Sequence, residues 1–465
     1  MDRQRRKFIK KTAAGLIAAP VLASSASNIA SGKESVDTIV IGGGFAGVTA
    51  GRELSARGLN TLVLEAQPRM GGRVLTLPLA GHDIDLGGTW VGWSQPHVWT
   101  EIMRYGLSID ETAAVNAETA IWFDNQKRIE GSAETYAEIF ERAAGVFYGP
   151  AREAFPRPFD PLYAKGFGHL DAMNPVDAIN KLQLSQVEKD MMLSLAGINA
   201  HAPPVQSSYL DQLRWFALGD FDVWNMWDNL GRYRISGGAE KLLQRMQGDS
   251  GAEFLLDSPV KSIISDEGIV TVTTNTGKVY HARAAVVAVP LNCLGDIEFQ
   301  PSLGAVKSRV SKARHTGSGT KIYARVKNVK APVMCQGTID MPLNFLWTEY
   351  VDDDSQILVG FGTSDKLLDI NSEAAVRRAI KSFLPEAELL EFFTYDWNAD
   401  PYSKGTWCMY RPHVLTEDFK QLQENQENIY FSGADIAYGW RGFIDGAIES
   451  GLRVGREVAD GLKKG

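Results

Sequence analysis

Residues Thr38 to Glu65 read TIVIGGGFAGVTAGRELSARGLNTLVLE. The short apolar run Thr38 to Ile41 meets Gly42-Gly43-Gly44-Phe45-Ala46-Gly47, then a helix-like stretch, then a second apolar run closed by Glu65. Strand, glycine turn, helix, strand and acid in this order predict the βαβ unit that binds a dinucleotide. Gly42 permits the tight turn, Gly44 lets a pyrophosphate approach the backbone, and Gly47 lets helix and strand pack closely. The helix start offers free N–H groups and a partial positive charge to the phosphates. Glu65 follows about 20 residues later, where a carboxylate accepts from a ribose hydroxyl.

The chain continues with Arg69-Met70-Gly71-Gly72-Arg73 and Asp85-Leu86-Gly87-Gly88-Thr89-Trp90. Two further glycine pairs bring more backbone against a large cofactor, and Arg73 is suited to a pyrophosphate. On these segments the chain resembles the FAD-dependent amine oxidase family, in which the GGR segment lines the cofactor. The resemblance covers essentially all of residues 36–465. It implies an α/β fold: a Rossmann-like FAD-binding domain of discontinuous segments (36–93, 231–299 and 392–465) with a second, mixed α+β substrate domain (94–230 and 300–391). Periodicity alone says only α/β, with more than one domain.

With 465 residues the chain exceeds one ordinary core. Its 44% hydrophobic and 22% charged residues describe a globular protein, and a net charge of −8 argues against nucleic acid as a partner. Arg5-Arg6-Lys7-Phe8-Ile9-Lys10, the weakly apolar run Ala13 to Ala23 and the small residues Ser24 to Ser27 resemble a twin-arginine export signal, with residues 1–35 as signal and linker. That reading predicts a periplasmic or secreted protein. The apolar run is too short to span a bilayer. Cys293, Cys335 and Cys408 form no disulfide framework and no metal spacing, and the seven histidines include no metal-binding pair, so no metal is expected. His82, His97 and His201 read as structural or exposed.

From Gln95 to about Leu230 the pattern turns helical and aromatic, and strand alternation returns between Phe254 and Val289. Asn275-Thr276-Gly277 predicts a hairpin loop, and Ala284 to Val289 a buried strand stopped by Pro290. An amphipathic helix is expected from about Ile444 to Leu462.

Gly433-Ala434-Asp435 and Gly439-Trp440-Arg441-Gly442-Phe443-Ile444 resemble the family's C-terminal flavin signature, with Asp435 where the family usually has glutamate. The shorter side chain suggests a contact made through water. Tyr395-Asp396-Trp397 and Ser403 to Trp407 resemble the segment beside the flavin ring. Some relatives carry, at the position of Thr406, a cysteine joined to the flavin; threonine cannot form that thioether, so FAD is expected to be non-covalent. Cys408 lies on the same strand face two residues away. The resemblance adds Val260, Trp397, Gly433 and Ile444 to the cofactor set.

Trp407 and Phe443 match the aromatic pair that flanks the flavin in monoamine oxidases. Two ring faces guide an ammonium in and then hold a neutral nitrogen with its lone pair free. Lys321 matches the family lysine that holds a water beneath flavin N5. By pattern alone, Lys321, Tyr323 and Arg325 form one strand face that could equally be solvated. Trp93, Tyr209, Trp215, Trp224, Phe345 and Trp347 fall in segments that line the substrate pocket in relatives, and core packing suits each of them as well.

Together these residues predict an exported FAD-dependent amine oxidase or dehydrogenase that passes hydride from the amine α-carbon to flavin N5. The imine is then hydrolysed, and oxygen or a periplasmic electron carrier is the acceptor; a homodimer is compatible with this reading. Gly87 to Trp93 and Gln95 to Trp99 resemble the bacterial nicotine oxidoreductase and pseudooxynicotine oxidase branch. In the nicotine enzyme the second cage position is not aromatic, so Phe443 favours a simpler primary or secondary amine. Two alternatives stand beside this reading. An L-amino acid oxidase would use Arg441 for the substrate carboxylate, and a non-catalytic flavin-fold binding protein would resemble GDP-dissociation inhibitors.

Overall fold

Ile39, Val40 and Ile41 are fully or nearly fully buried, as the unbroken apolar run requires of a strand covered on both faces. The computed structural model describes residues 34–464; the proposed export signal lies outside the described residues. Glu34–Ile41 pairs in parallel with Thr61–Leu64, which pairs in parallel with Glu253–Leu255. On the other side of Glu34–Ile41 runs Val279–Val287, followed by the antiparallel strands Ile269–Thr274 and Val260–Asp266 and then Glu298–Gln300. The C-terminal half of Val279–Val287 also pairs in parallel with Ile429–Phe431. One sheet therefore gathers strands from three distant stretches of chain, and Asn275 to Gly277 forms the expected hairpin loop.

Helix Phe45–Ala56 follows the first strand, and helix Ile444–Lys464 packs alongside it. Gly42 has φ +109°, and Gly47 lies so close to it that a Cβ at 47 would stand 1.9 Å from the Gly42 carbonyl oxygen. Only glycine suits both positions.

The second sheet runs in the order Glu388–Thr394, Thr320–Lys327, Gln356–Gly362, Phe345–Val351, Val333–Gln336, Thr119–Asp124, Lys127–Ser132. Its last two strands lie within the stretch expected to be helical. The alternating segment TAIWFD is short, and its parallel pairing with Val333–Gln336 is more than 200 residues away in sequence, so helical neighbours mask it. One face of this sheet carries Ile322, Ala324, Leu346 and Leu358 against Val376, Ile380 and Phe383 of helix Glu373–Phe383. Those three helical residues recur at four- and three-residue steps, and Ser372 caps the helix by accepting from Ala375 N. Replacing buried Phe383 by alanine would cost about 3–5 kcal/mol. The opposite face, with Tyr323, Phe345, Trp347 and Phe361, belongs to the main core. Both faces are covered, so the solvated alternative for Lys321 does not hold.

Candidate active site

Helix Phe45–Ala56 begins at Gly44 with no side-chain cap and no acid in its first turn. Its first N–H groups are therefore left without helical partners beside a cavity wall formed by Gly42, Gly44, Phe45 and Ala46. Glu65, Gln67, Ser258 and Val260 bound the same cavity. Glu65 is buried, accepts from Gly43 N at 2.5 Å and Gln67 N at 2.8 Å, and is pushed upward in pKa by that burial. An uncapped helix start beside a bare glycine turn fits an anionic diphosphate, and the Glu65 carboxylate fits a neighbouring ribose.

Gly71, Gly72, Arg73, Gly87, Gly88, Thr89, Trp397, Thr406, Gly433 and Ile444 also bound this cavity. Arg73 donates to Asp435 Oδ1 at 2.7 Å and to the Thr406 carbonyl at 2.9 Å. Two expected cofactor residues do not line it. Gly47 acts behind the wall by admitting the Gly42 carbonyl. Asp435 is buried against Arg73 and Leu291 N, and so bears on the cavity through Arg73.

Lys321 stands on the cavity wall at the start of strand Thr320–Lys327. Its Nζ donates to the Asp85 carbonyl at 2.6 Å, the Gly87 carbonyl at 3.0 Å and Thr89 Oγ1 at 2.6 Å. Three acceptors use all three protons of an ammonium. Lys321 thereby braces the segment whose Gly87, Gly88 and Thr89 form the wall. Burial pulls its pKa down from the ordinary lysine value; the Asp85 and Glu349 carboxylates oppose that pull, and Asp85 is itself raised by burial.

Trp407 and Phe443 both face the cavity. Trp407 Nε1 donates to the Asn199 carbonyl at 2.8 Å. Phe443 is met edge-on by Trp215 at 4.9 Å and by Trp440 at 5.1 Å between ring centres. Trp347 and Trp215 line the cavity, as do Trp90, Trp227 and Phe361, which the sequence reading passed over. Trp227 and Phe361 sit at distances in the chain that no local spacing connects to the flavin motifs. His201 is also a wall residue, stacked on Trp407, rather than merely structural or exposed.

Four expected pocket residues lie elsewhere. Trp93 is 58% exposed and packs on Trp99 and Tyr233 outside the cavity. Tyr209 is buried in the core and donates its hydroxyl to the Phe147 carbonyl. Phe345 is buried behind Trp227. Trp224 is 37% exposed and donates to Glu141 outside the cavity. Arg441 is 0% exposed, paired with Asp211 and laid over the Tyr410 ring, so it has no access to a substrate carboxylate. Cys408 is buried outside the cavity with its sulfur near the Asp435 carbonyl. Among the described residues no group of three or more His, Cys, Asp or Glu is arranged to hold a metal ion, and no helix is long and apolar enough to cross a membrane.

Residues 45–459 match the sequence pattern of the flavin containing amine oxidoreductases. The chain is 43% identical to a pseudooxynicotine dehydrogenase of a Pseudomonas species, over 99% of this chain and 96% of that one. It is 36% identical to a nicotine dehydrogenase of Pseudomonas putida, over 91% of this chain and 88% of the relative. In fold it resembles putrescine oxidase bound to putrescine (TM-score 0.80, 21% identity, 92% and 99% of the two chains) and cyclohexylamine oxidase from Brevibacterium oxydans (0.79, 21%, 92% and 99%). The sequence match runs from the helix after the glycine turn to the C-terminal helix and takes in most of the cavity wall: the chain belongs to the flavin-containing amine oxidoreductases, with FAD as its cofactor.

Proposed function

We propose that this enzyme is an exported amine dehydrogenase that oxidises a small primary or secondary amine at the carbon beside nitrogen. FAD, when bound, supplies the hydride acceptor for that carbon, and water then hydrolyses the imine product. The observation that carries the reading is one continuous cavity, with the dinucleotide end at Gly44 and Glu65 and an aromatic end at Trp407 and Phe443.

At the aromatic end the ring faces draw an ammonium in and hold it, once deprotonated, without donating a proton to its lone pair. Lys321 spends its protons on wall oxygens, so it does not compete for the amine. Arg73, tied to Asp435, would steady the diphosphate side of the cofactor. The burial of Arg441 removes the residue on which the amino acid oxidase alternative depended. Residues 36–93, 231–299 and 392–465 are read as the cofactor half and 94–230 and 300–391 as the substrate half, a division supported by the separate strand membership of the two sheets. The dehydrogenase names of the two Pseudomonas relatives support an electron carrier, in preference to oxygen, as acceptor.

Anaerobic stopped-flow reduction of the flavin tests this reading across pseudooxynicotine, nicotine, putrescine, cyclohexylamine and amino acids. Rapid bleaching by an amine, followed by reoxidation that is slow in air and fast with a one-electron carrier, is the expected result. A flavin that no amine reduces would overturn the assignment.

A further inference from the structure

His201 follows helix Gln186–Ala200 in left-handed backbone (φ 46°) and is 1% exposed. Its imidazole lies flat on the Trp407 indole, with 3.9 Å between ring centres and 5° between planes. Both ring nitrogens are engaged: Nε2 lies 3.1 Å from the Thr320 carbonyl and Nδ1 2.8 Å from Thr406 Oγ1. A carbonyl only accepts, so Nε2 carries the proton; in the neutral ring Nδ1 must then accept from the Thr406 hydroxyl. Burial depresses the His201 pKa to about 3, which keeps the ring neutral across the working pH range.

The surroundings are shaped for this stack. A Cβ on Gly319 would lie 2.3 Å from His201 Cδ2, and one on Gly317 would lie 2.1 Å from the Trp407 carbonyl. The carbonyl of Asn199, two residues before His201, accepts from Trp407 Nε1, and Phe361 meets both rings edge-on at 5.9 and 6.0 Å. Held at its edge and covered on one face, the indole has a single face left for a ligand.

We infer, resting on the amine reading above, that His201 is the positioning residue of the Trp407 wall: its neutral imidazole fixes the indole plane against which the amine is aligned. It ties the end of one helix to Thr406 and to the residue preceding Lys321, and so sets Trp407 in register with the rest of the wall. Ordinary packing would need neither the parallel stack nor the fixed tautomer. A packing role also predicts a different outcome when the ring is removed.

The test uses the flavin-loaded enzyme, native and as His201→Asn and His201→Phe. Asparagine tolerates the left-handed backbone but removes the ring; phenylalanine keeps the ring and loses the hydrogen bonds. Two readouts are taken. One is the limiting rate of anaerobic flavin reduction by the best amine. The other is the fluorine NMR line of 5-fluorotryptophan at position 407, identified by its absence in Trp407→Phe. His201→Asn is expected to shift and broaden that line and to slow reduction by about tenfold or more with FAD retained. His201→Phe, which keeps a ring but loses both tethers at a left-handed position, is expected to restore only part of each, and full restoration would overturn the role of the hydrogen-bonded tautomer. An unmoved line in His201→Asn, or a moved line with a native reduction rate, overturns the proposal. So does an equal loss of FAD and stability in both variants with unchanged rates in the loaded fraction. If no amine reduces even the native enzyme, the amine reading fails, and the fluorine line alone decides whether His201 holds Trp407.

Discussion

Arg73 Nη2 donates to Asp435 Oδ1 at 2.7 Å, joining residues 362 positions apart. The other Asp435 oxygen accepts from Leu291 N at 2.9 Å, and Arg73 Nη1 holds the Thr406 carbonyl, so one ion pair ties four distant segments at the cavity. Burial alone would raise the Asp435 pKa; the Arg73 guanidinium, with His315 and the Leu291 N–H, outweighs it and holds the carboxyl below its ordinary value.

Asp435→Asn should therefore destabilise the protein by about 3 kcal/mol at neutral pH, because Arg73 is left without its counter-charge. Arg73 keeps 19% of its side chain open to the cavity, which places the loss at the lower end for a buried pair. A depressed carboxyl stabilises above its unfolded pKa of about 3.9 and loses that contribution as pH falls through the lower folded value. Urea unfolding from neutral pH downward should show the gap between native and variant narrowing in that acid window. A gap indifferent to pH would mean the pair contributes little.

His97 and Asp445 behave in the opposite sense. Asp445 accepts from His97 N at 2.6 Å, Val98 N at 2.9 Å and His97 Nδ1 at 3.1 Å, joining the start of the C-terminal helix to helix Pro96–Arg104. Burial would lower the imidazole pKa, but the Asp445 carboxylate outweighs it and raises the value. Its stabilisation is complete below the unfolded value of about 6.5 and is lost as pH rises through the higher folded one. His97→Asn should lower the melting temperature more at about pH 5.5 than at about pH 8.5, with a difference under about 1 kcal/mol because the ring is partly exposed. Equal losses at both pH values would count against the charged pair.

The glycine turn could be read from the chain because its requirements are local: positive φ at Gly42 and a backbone contact at Gly47 exclude side chains whatever the rest of the fold does. Lys321 was half legible. Alternation shows that it shares a face with Tyr323, but only the partner strands and the Asp85 to Thr89 segment decide that this face is dry. Trp93, Tyr209, Phe345 and Trp347 look alike in sequence, since any aromatic ring suits a core, a surface stack or a ligand wall. His201 gave no signal at all, because its partner Thr406 lies 205 positions away.

FAD should come away from the protein without bond cleavage. Thr406 directs its hydroxyl to His201, and Cys408 is buried outside the cavity, so no thiol reaches the cofactor space from either position. Acid precipitation is expected to leave yellow supernatant and colourless pellet for native protein and Cys408→Ser alike. Colour retained by the native pellet and released by Cys408→Ser would show that Cys408 is the attachment point after all.

Replacing either Trp407 or Phe443 by alanine should slow anaerobic flavin reduction while FAD stays bound, since neither residue touches the Gly44 or Glu65 end of the cavity. Loss of a near-attack alignment commonly costs on the order of 10²-fold in rate. A fully buried aromatic lost from a core costs about 3–5 kcal/mol instead. Phe443 is only partly buried, packed edge-on against Trp215 and Trp440, so its stability loss should fall short of that figure. Phe443→Tyr keeps the ring against the same two neighbours and should reduce much faster than Phe443→Ala. The discriminating comparison is rate against melting temperature in one variant. If Phe443→Ala melts several degrees lower yet reduces at the native rate with its best amine, the ring is packing, and the alignment of the amine must come from the Trp407 side alone.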